Sequence, residues 1–190
     1  MARPKTITDE RLLAAAAHVI GVRGPGFTVA EVAARAGVAV GTVAGRFGSK
    51  SGLLQALTRQ ESAALVERMR AAAVGLAPLE GLRAGLVAWF MPGMTDPTTT
   101  GNHLAQLGAD LIDPELRALL AELYEATFGA VLELVRAVPL PRGPAPERAA
   151  RVLTGLVYGV SMDWSIRPRG ELVARLAEDV DAVLDAWKGK

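Results

Sequence analysis

Residues 28–47 read TVAEVAARAGVAVGTVAGRF, and the folding of this stretch decides how the rest of the chain is read. Thr28 with Glu31 three positions on is a capping box, so a helix opens at Val29. Ala36-Gly37 stops it, because glycine enters the left-handed conformation of a helix C-terminus at little cost. Val29, Val32 and Ala33 share one apolar face, which Val38, Val43 and Phe47 continue beyond the turn. A small residue at Ala33, a turn residue at Gly37 and an aliphatic at Val43 suit two short helices crossing closely. The spacing predicts a helix-turn-helix, whose second helix can lie in a DNA major groove. An ordinary αα-hairpin in a helical core shares part of this pattern, so the flanks matter.

Upstream, Thr8 is an N-cap, Asp9 and Glu10 occupy a first turn, and Leu12, Leu13, Ala16, Val19 and Ile20 recur at helical spacing. This is the packing helix such a unit needs. Downstream, Gly48 breaks the chain and a helix restarts at Ser49, which sets backbone N–H groups and Lys50 beside the unit as phosphate-binding parts.

The first fifty or so residues thus resemble the DNA-binding domain of the TetR/AcrR family of transcriptional regulators. The likeness is carried by Thr28, Val32, Ala33, Ala36, Gly37, Val38, Gly41, Thr42, Val43, Phe47, Ser49, Lys50 and Leu53; beyond Leu54 it is one of layout. It implies an all-α homodimer. Residues 1–52 would form a three-helix DNA-binding domain, and residues 53–190 a larger helical ligand-binding and dimerisation domain. Such proteins usually repress transcription until a small molecule binds. The chain departs from the family where Ala44, Gly45 and Arg46 replace a common aromatic, a variable residue and a His or Tyr, and where Val40 replaces an often polar residue. The expected reading surface is Ala39, Val40, Gly41, Thr42, Ala44, Gly45 and Arg46, in which only Thr42 and Arg46 hydrogen-bond through side chains. Backbone amides, Thr28, Thr42 and Lys50 are expected to position the protein. Arg46 would contact guanine or phosphate, and Val40 and Ala44 thymine methyls. A two-fold dimer predicts a palindromic or near-palindromic double-stranded operator. The rival is a ligand- or protein-binding helical dimer that keeps the fold but lacks specific DNA binding.

Composition fits helices with extensive burial: 190 residues, 51% hydrophobic, mean hydropathy +0.26, with almost no strand signals. Net charge is only +1, yet Arg3, Lys5, Arg11, Arg23, Arg35, Arg46 and Lys50 face only Asp9, Glu10 and Glu31 in the first fifty residues. Nucleic-acid affinity is therefore expected at that end. The absence of cysteine excludes disulfides and thiolate metal sites. No nucleophile elbow, Gly-rich phosphate loop or metal-ligand cluster is present, so no enzyme, cofactor or metal is expected. Leu153 to Ile166 is apolar but short of the roughly twenty residues that span a bilayer, and the run before Val22 follows Asp9 and Glu10 rather than a signal-peptide head. A cytoplasmic protein without membrane association is the expectation.

Past Leu54, helices are expected from Ser49 to about Val74, over Pro78–Phe90 and over Gly101–Ile112. Another should run from Asp113-Pro114-Glu115 to about Val138, and the last two over 146–166 and 172–187. Met91 to Thr100 reads as a loop, and the prolines from Pro139 to Pro146 as the segment most prone to disorder. The last two helices are the expected dimer interface, through Gly155, Gly159, Met162, Leu176, Val180, Val183, Leu184 and Trp187. An apolar cavity for a hydrophobic or amphipathic effector is expected among Trp89, Phe90, Met94, His103, Gln106, Leu107, Asp110, Tyr124, Phe128, Tyr158 and Met162.

Overall fold

The computed structural model describes residues 7–89 and 96–189, which form nine α-helices and no strand. Helix α1 (Asp9–Arg23) is capped by Thr8, and α2 (Val29–Ala36) by the reciprocal Thr28–Glu31 box. Gly37 takes φ 72°, and the Val38 N–H returns to the Ala33 carbonyl at 3.0 Å, so the chain reverses into α3 (Val40–Phe47) within a few residues. Ser49 caps α4 (Lys50–Ala73) by accepting from the Gly52 N–H at 3.0 Å. A Cβ on Gly52 would stand 2.0 Å from the Phe47 carbonyl oxygen, so this corner closes only over glycine.

Two cores result. Leu12, Leu13, Ala16 and Ile20 pack with Phe27, Val32, Ala33 and Val43, and with Leu53, Leu54 and Leu57 of α4. Leu116, from the start of α7 (Pro114–Arg136), joins this N-terminal core. Leu65 and Met69, further along α4, belong instead to the C-terminal core. Within α4, packing passes from one core to the other between Leu57 and Leu65. α4 is one rod shared by both halves.

The C-terminal core gathers Leu82 and Leu86 of α5 (Pro78–Val87), Trp89, Val131 and Val135 of α7, Leu153 and Val157 of α8 (Pro146–Ile166), and the inner stripe of α9 (Leu172–Lys188). Between α5 and α7 runs α6 (Pro97–Asp110), packed on α1 to one side and α8 to the other. It begins before the expected Gly101. Asp96 accepts from the Thr99 N–H at 2.9 Å with Pro97 at the first helical position, the same Asp-Pro start that opens α7. The expected loop shortens accordingly, and its residues 91–95 lie outside the described ones.

One further expectation is corrected, and part of another is enclosed within the chain. The segment after α7 is ordered: Val138 is buried, Leu140 packs on the core, and the Arg142 N–H donates to the Trp187 carbonyl at 2.9 Å. On α9, Leu176, Val180 and Leu184 are wholly enclosed, and Val183 and Trp187 rest on the same core. Leu176, Val180 and Leu184 are thus covered from within the chain, where α9 closes over α5 and α8, while Val183 and Trp187 stay half-buried at its edge. The outward apolar line lies on α8, where Val152, Gly155, Gly159, Met162 and Ile166 recur at helical spacing and are exposed.

Candidate nucleic-acid interface and effector cavity

α3 presents Ala39, Val40, Gly41, Ala44, Gly45 and Arg46 to solvent, with Thr42 half-buried at its flank. Val43 faces inward and is 1% exposed, in the core where α3 packs on α2 and α4. Val40, by contrast, is 48% exposed although aliphatic. A Cβ added to Gly41 or Gly45 would meet nothing within 4 Å. Both have ordinary helical backbone, so neither packing nor conformation within the chain requires glycine there, and each costs up to about 1 kcal/mol of helix stability relative to alanine.

The cations singled out from the sequence are engaged elsewhere. Lys50, expected on a phosphate, is turned inward. Its Nζ donates to the Pro25 carbonyl at 2.7 Å and the Phe27 carbonyl at 2.8 Å, and stands 4.2 Å from the Phe27 ring centroid. The carbonyls of the turn between α1 and α2 lack helix partners, and Lys50 supplies them, tying the first turn of α4 to the entry of α2. Thr28 spends its hydroxyl on Glu31, which also accepts from Arg23 at 2.7 Å. These donors hold the Glu31 carboxyl below its ordinary range, Arg23 contributing most. Arg46 reaches back to the Asp9 carboxylate and to the Ile7 carbonyl at 3.3 Å. It remains partly exposed at the edge of α3, oriented by α1.

Arg11 and Arg35 supply the charge that these residues withhold. They flank a shallow hollow of about 260 Å³ with Ile7, Ala14, Ala15 and Ala36, are exposed, and make no ion pair among the described residues. The sequence showed them only as part of a basic tally; their convergence depends on how α1 crosses α2.

In the C-terminal half a cavity of about 160 Å³ opens between α4, α6, α7 and α8. Of the residues expected in it, Trp89, His103, Leu107 and Tyr158 are present. Trp89 lies edge-on to Tyr158, ring centroids 5.4 Å apart, and Tyr124 stacks on the outer face of that pair rather than lining the cavity. Gln106 and Asp110 are buried against each other, the Gln106 amide donating at 2.6 Å. Phe128 packs on the core, Met162 points to solvent, and Phe90 and Met94 lie outside the described residues. Glu61, Leu65, Arg68, Thr100, Leu104, Leu123 and Ser161 complete the walls. Those on α4 went unsuspected because amphipathicity shows which face is buried and not what it faces.

His103 forms the wall nearest the N-terminal half. Burial pushes its imidazole below the ordinary range, which favours the neutral form. A Cβ on Gly21 of α1 would stand 3.2 Å from the His103 Nε2, and the Asn102 amide donates to the Gly21 carbonyl at 2.8 Å. Thus α6 lines the cavity on one side and is pinned to α1 on the other.

Comparison with known proteins agrees with this division. Residues 12–57 match the family described as bacterial regulatory proteins, tetR family, and residues 78–187 match the C-terminal region of BetI-type transcriptional repressors. The chain is 30% identical over 146 residues to the HTH-type transcriptional regulator BetI 1 of Chromohalobacter salexigens, covering 75% of this chain and 71% of that one. It is 35% identical over 139 residues to BetI of Burkholderia mallei, covering 72% and 70%. Among solved structures, a transcriptional regulator from Rhodococcus sp. Rha1 superposes with TM-score 0.77 at 21% identity, covering 97% of this chain and 100% of that one. FadR of Bacillus subtilis, solved with stearoyl-CoA, gives 0.71 at 21%, covering 93% and 97%.

Proposed function

Because this chain belongs to the TetR family of bacterial regulatory proteins and is a DNA-binding transcriptional regulator, we propose that it is a repressor which grips a two-fold operator as a homodimer and lets go when a small molecule enters the cavity. The observation that supports the reading is an exposed, donor-poor, glycine-punctuated face on α3, together with Arg11 and Arg35, which have no ion pair among the described residues and flank a hollow whose Ile7 carbonyl accepts from Arg46 of α3. The arginines neutralise phosphate and set register, and α3 reads by shape and apolar contact. Val40 and Ala44 meet thymine methyls, Thr42 supplies a hydroxyl, and Arg46, partly neutralised by Asp9, contacts phosphate rather than guanine. Gly41 and Gly45 let the helix backbone approach base edges where a Cβ would intrude.

Dimerisation is assigned to the outer face of α8. Val152, Gly155, Gly159, Met162 and Ile166 form one line whose glycines admit a second helix closely. Release runs through α6: a ligand pressing on Leu104 and Leu107 displaces a helix that Asn102 and His103 hold against α1. The cavity is below the roughly 300–1,000 Å³ of drug-sized sites, so the effector is smaller than the stearoyl-CoA found with FadR. No catalytic step is assigned, and a DNA partner places the protein in the cytoplasm. Among the described residues no helix is long and apolar enough to cross a membrane.

The test is selection of bound sequences from a random duplex pool. Enrichment of inverted half-sites is expected. Enrichment of one asymmetric half-site would remove the dimer from the reading, and no enrichment would remove specific recognition by α3.

A further inference from the structure

We propose that the cavity takes a small carboxylic acid with a single-ring or short branched body, whose carboxylate pairs with Arg68; this rests on reading the cavity as the effector site. Size sets the body. A cavity near 150 Å³ lined by aliphatic and aromatic side chains accommodates benzene, and this one is about 160 Å³. Its walls are chiefly Leu65, Leu104, Leu107, Leu123, Trp89 and Tyr158, so the enclosed part of the ligand is apolar.

Polar groups set the head. The Thr100 hydroxyl already donates to the Asp96 carbonyl at 3.1 Å, and the Ser161 hydroxyl to the Val157 carbonyl at 2.8 Å. Both donors are spent within their helices. Arg68 differs: among the described residues its guanidinium donates no hydrogen bond, its side chain is 30% exposed, so its terminal nitrogens are the ones a ligand can reach, and Glu61 stands 3.8 Å from one of them, beyond hydrogen-bonding distance. Glu61 balances the charge without satisfying the donor. A guanidinium is always charged and presents N–H groups in a fork that matches a carboxylate bidentately, so an acid supplies what the site lacks. The Trp89–Tyr158 pair would also attract a cation, but a cation cannot satisfy an orphaned N–H. An acid seated on Arg68 from α4 would have its body against Leu104 and Leu107 of α6, the helix fastened to α1.

Isothermal titration of the full chain with benzoate, cyclohexanecarboxylate and butyrate tests this, with benzamide and benzylamine as neutral and cationic controls of similar shape. At least one acid should bind about tenfold or more tightly than both controls, as a charge-assisted pair warrants, and Arg68→Gln should abolish that preference with helix content unchanged. Should Arg68→Gln not fold, Leu107→Phe, which fills the cavity and leaves Arg68 in place, should eliminate acid binding. Failure of all three acids to bind, equal or tighter binding of benzamide or benzylamine, or an acid preference that survives Arg68→Gln overturns the proposal. If an acid binds through Arg68 while the operator complex persists at saturation, the site stands and the effector reading falls.

Discussion

The reading unit and the cavity differ in how their parts are brought together. In residues 28–53 the determinants are local: a cap and its partner lie three apart, the turn glycine follows its helix, and Gly52 sits five residues from the carbonyl it must clear. The cavity draws on α4, α6, α7 and α8, with Arg68 and Tyr158 ninety positions apart in the chain. A local device is written in spacing, whereas a remote one is written only in how amphipathic faces pair. The same contrast separates glycines by use: Gly52 is demanded by the fold, while Gly41 and Gly45 are not.

The strongest way to break that distinction is to add one methyl at each kind of glycine. Gly52→Ala drives a Cβ into the Phe47 carbonyl, backbone against backbone, and should cost about 3 kcal/mol, the upper range of overpacking penalties. Thermal unfolding would show the loss. A variant as stable as the parent would mean that the α3–α4 corner is slack and that the closeness of Ser49, Gly52 and Phe47 has no bearing on how α3 is held.

Next in size is the charge beside α3. Replacing Arg11 and Arg35 together by alanine should weaken operator binding by roughly tenfold or more, and should flatten the salt dependence by about one unit of slope for each phosphate no longer neutralised. Fold stability should change little, because both residues are exposed and neither has an ion pair among the described residues. An unaltered salt slope would transfer the phosphate-binding role to other cations.

Where the sequence sufficed, and where it did not, follows the same division. Thr8, Thr28, Gly37 and Ser49 were legible as caps and stops because each acts on its own chain neighbours. Asp96-Pro97 carried the same signal as Asp113-Pro114 and was hidden by the run of threonines after it, which resembles a loop. The charge of Lys50 is visible in sequence, whereas the two carbonyl acceptors that orient it, some twenty-five residues away, are not. Leu176, Val180 and Leu184 read as a dimer stripe because periodicity gives a buried face without saying whether the covering surface belongs to the same chain. Arg68 had no signal at all: one arginine among several on a long helix becomes singular only when it is found lining the cavity with no hydrogen-bond acceptor among the described residues.

Smaller in effect, and opposite in sign to Gly52→Ala, is Gly45→Ala. With open space around the added methyl, the helix should gain up to about 1 kcal/mol from restored propensity. If the α3 backbone lies close against base edges, operator affinity should fall by about tenfold, the cost of forcing one methyl into a filled contact. The more stable protein would then be the weaker binder, seen by combining thermal unfolding with a gel-shift titration. A variant both more stable and equally tight would show that the groove leaves room, and that Gly45 plays no part in recognition.

The smallest effect lies where the halves meet, at Asp110 near the end of α6. Burial pushes its carboxyl above the ordinary 3.8, with Asp113 acting in the same direction and the Gln106 amide and Lys50 against it. The folded chain therefore keeps a proton that the unfolded chain has released as pH rises past 3.8. Stability falls through that window, and the deficit is complete once the folded carboxyl has ionised. Asp110→Asn removes the buried charge and can donate to the Gln106 Oε1, which is buried without a donor. A protonated Asp110 can do the same, so in urea unfolding the variant and the parent should match at about pH 3, where the carboxyl is neutral in both states. At pH 7 the variant should be the more stable, by less than the gain from Gly45→Ala. A variant less stable at pH 7 would mean that the ionised carboxylate is held by its surroundings, the Gln106 amide first and Lys50 after it, and that this junction relies on polar pairing where the N-terminal core relies on packing.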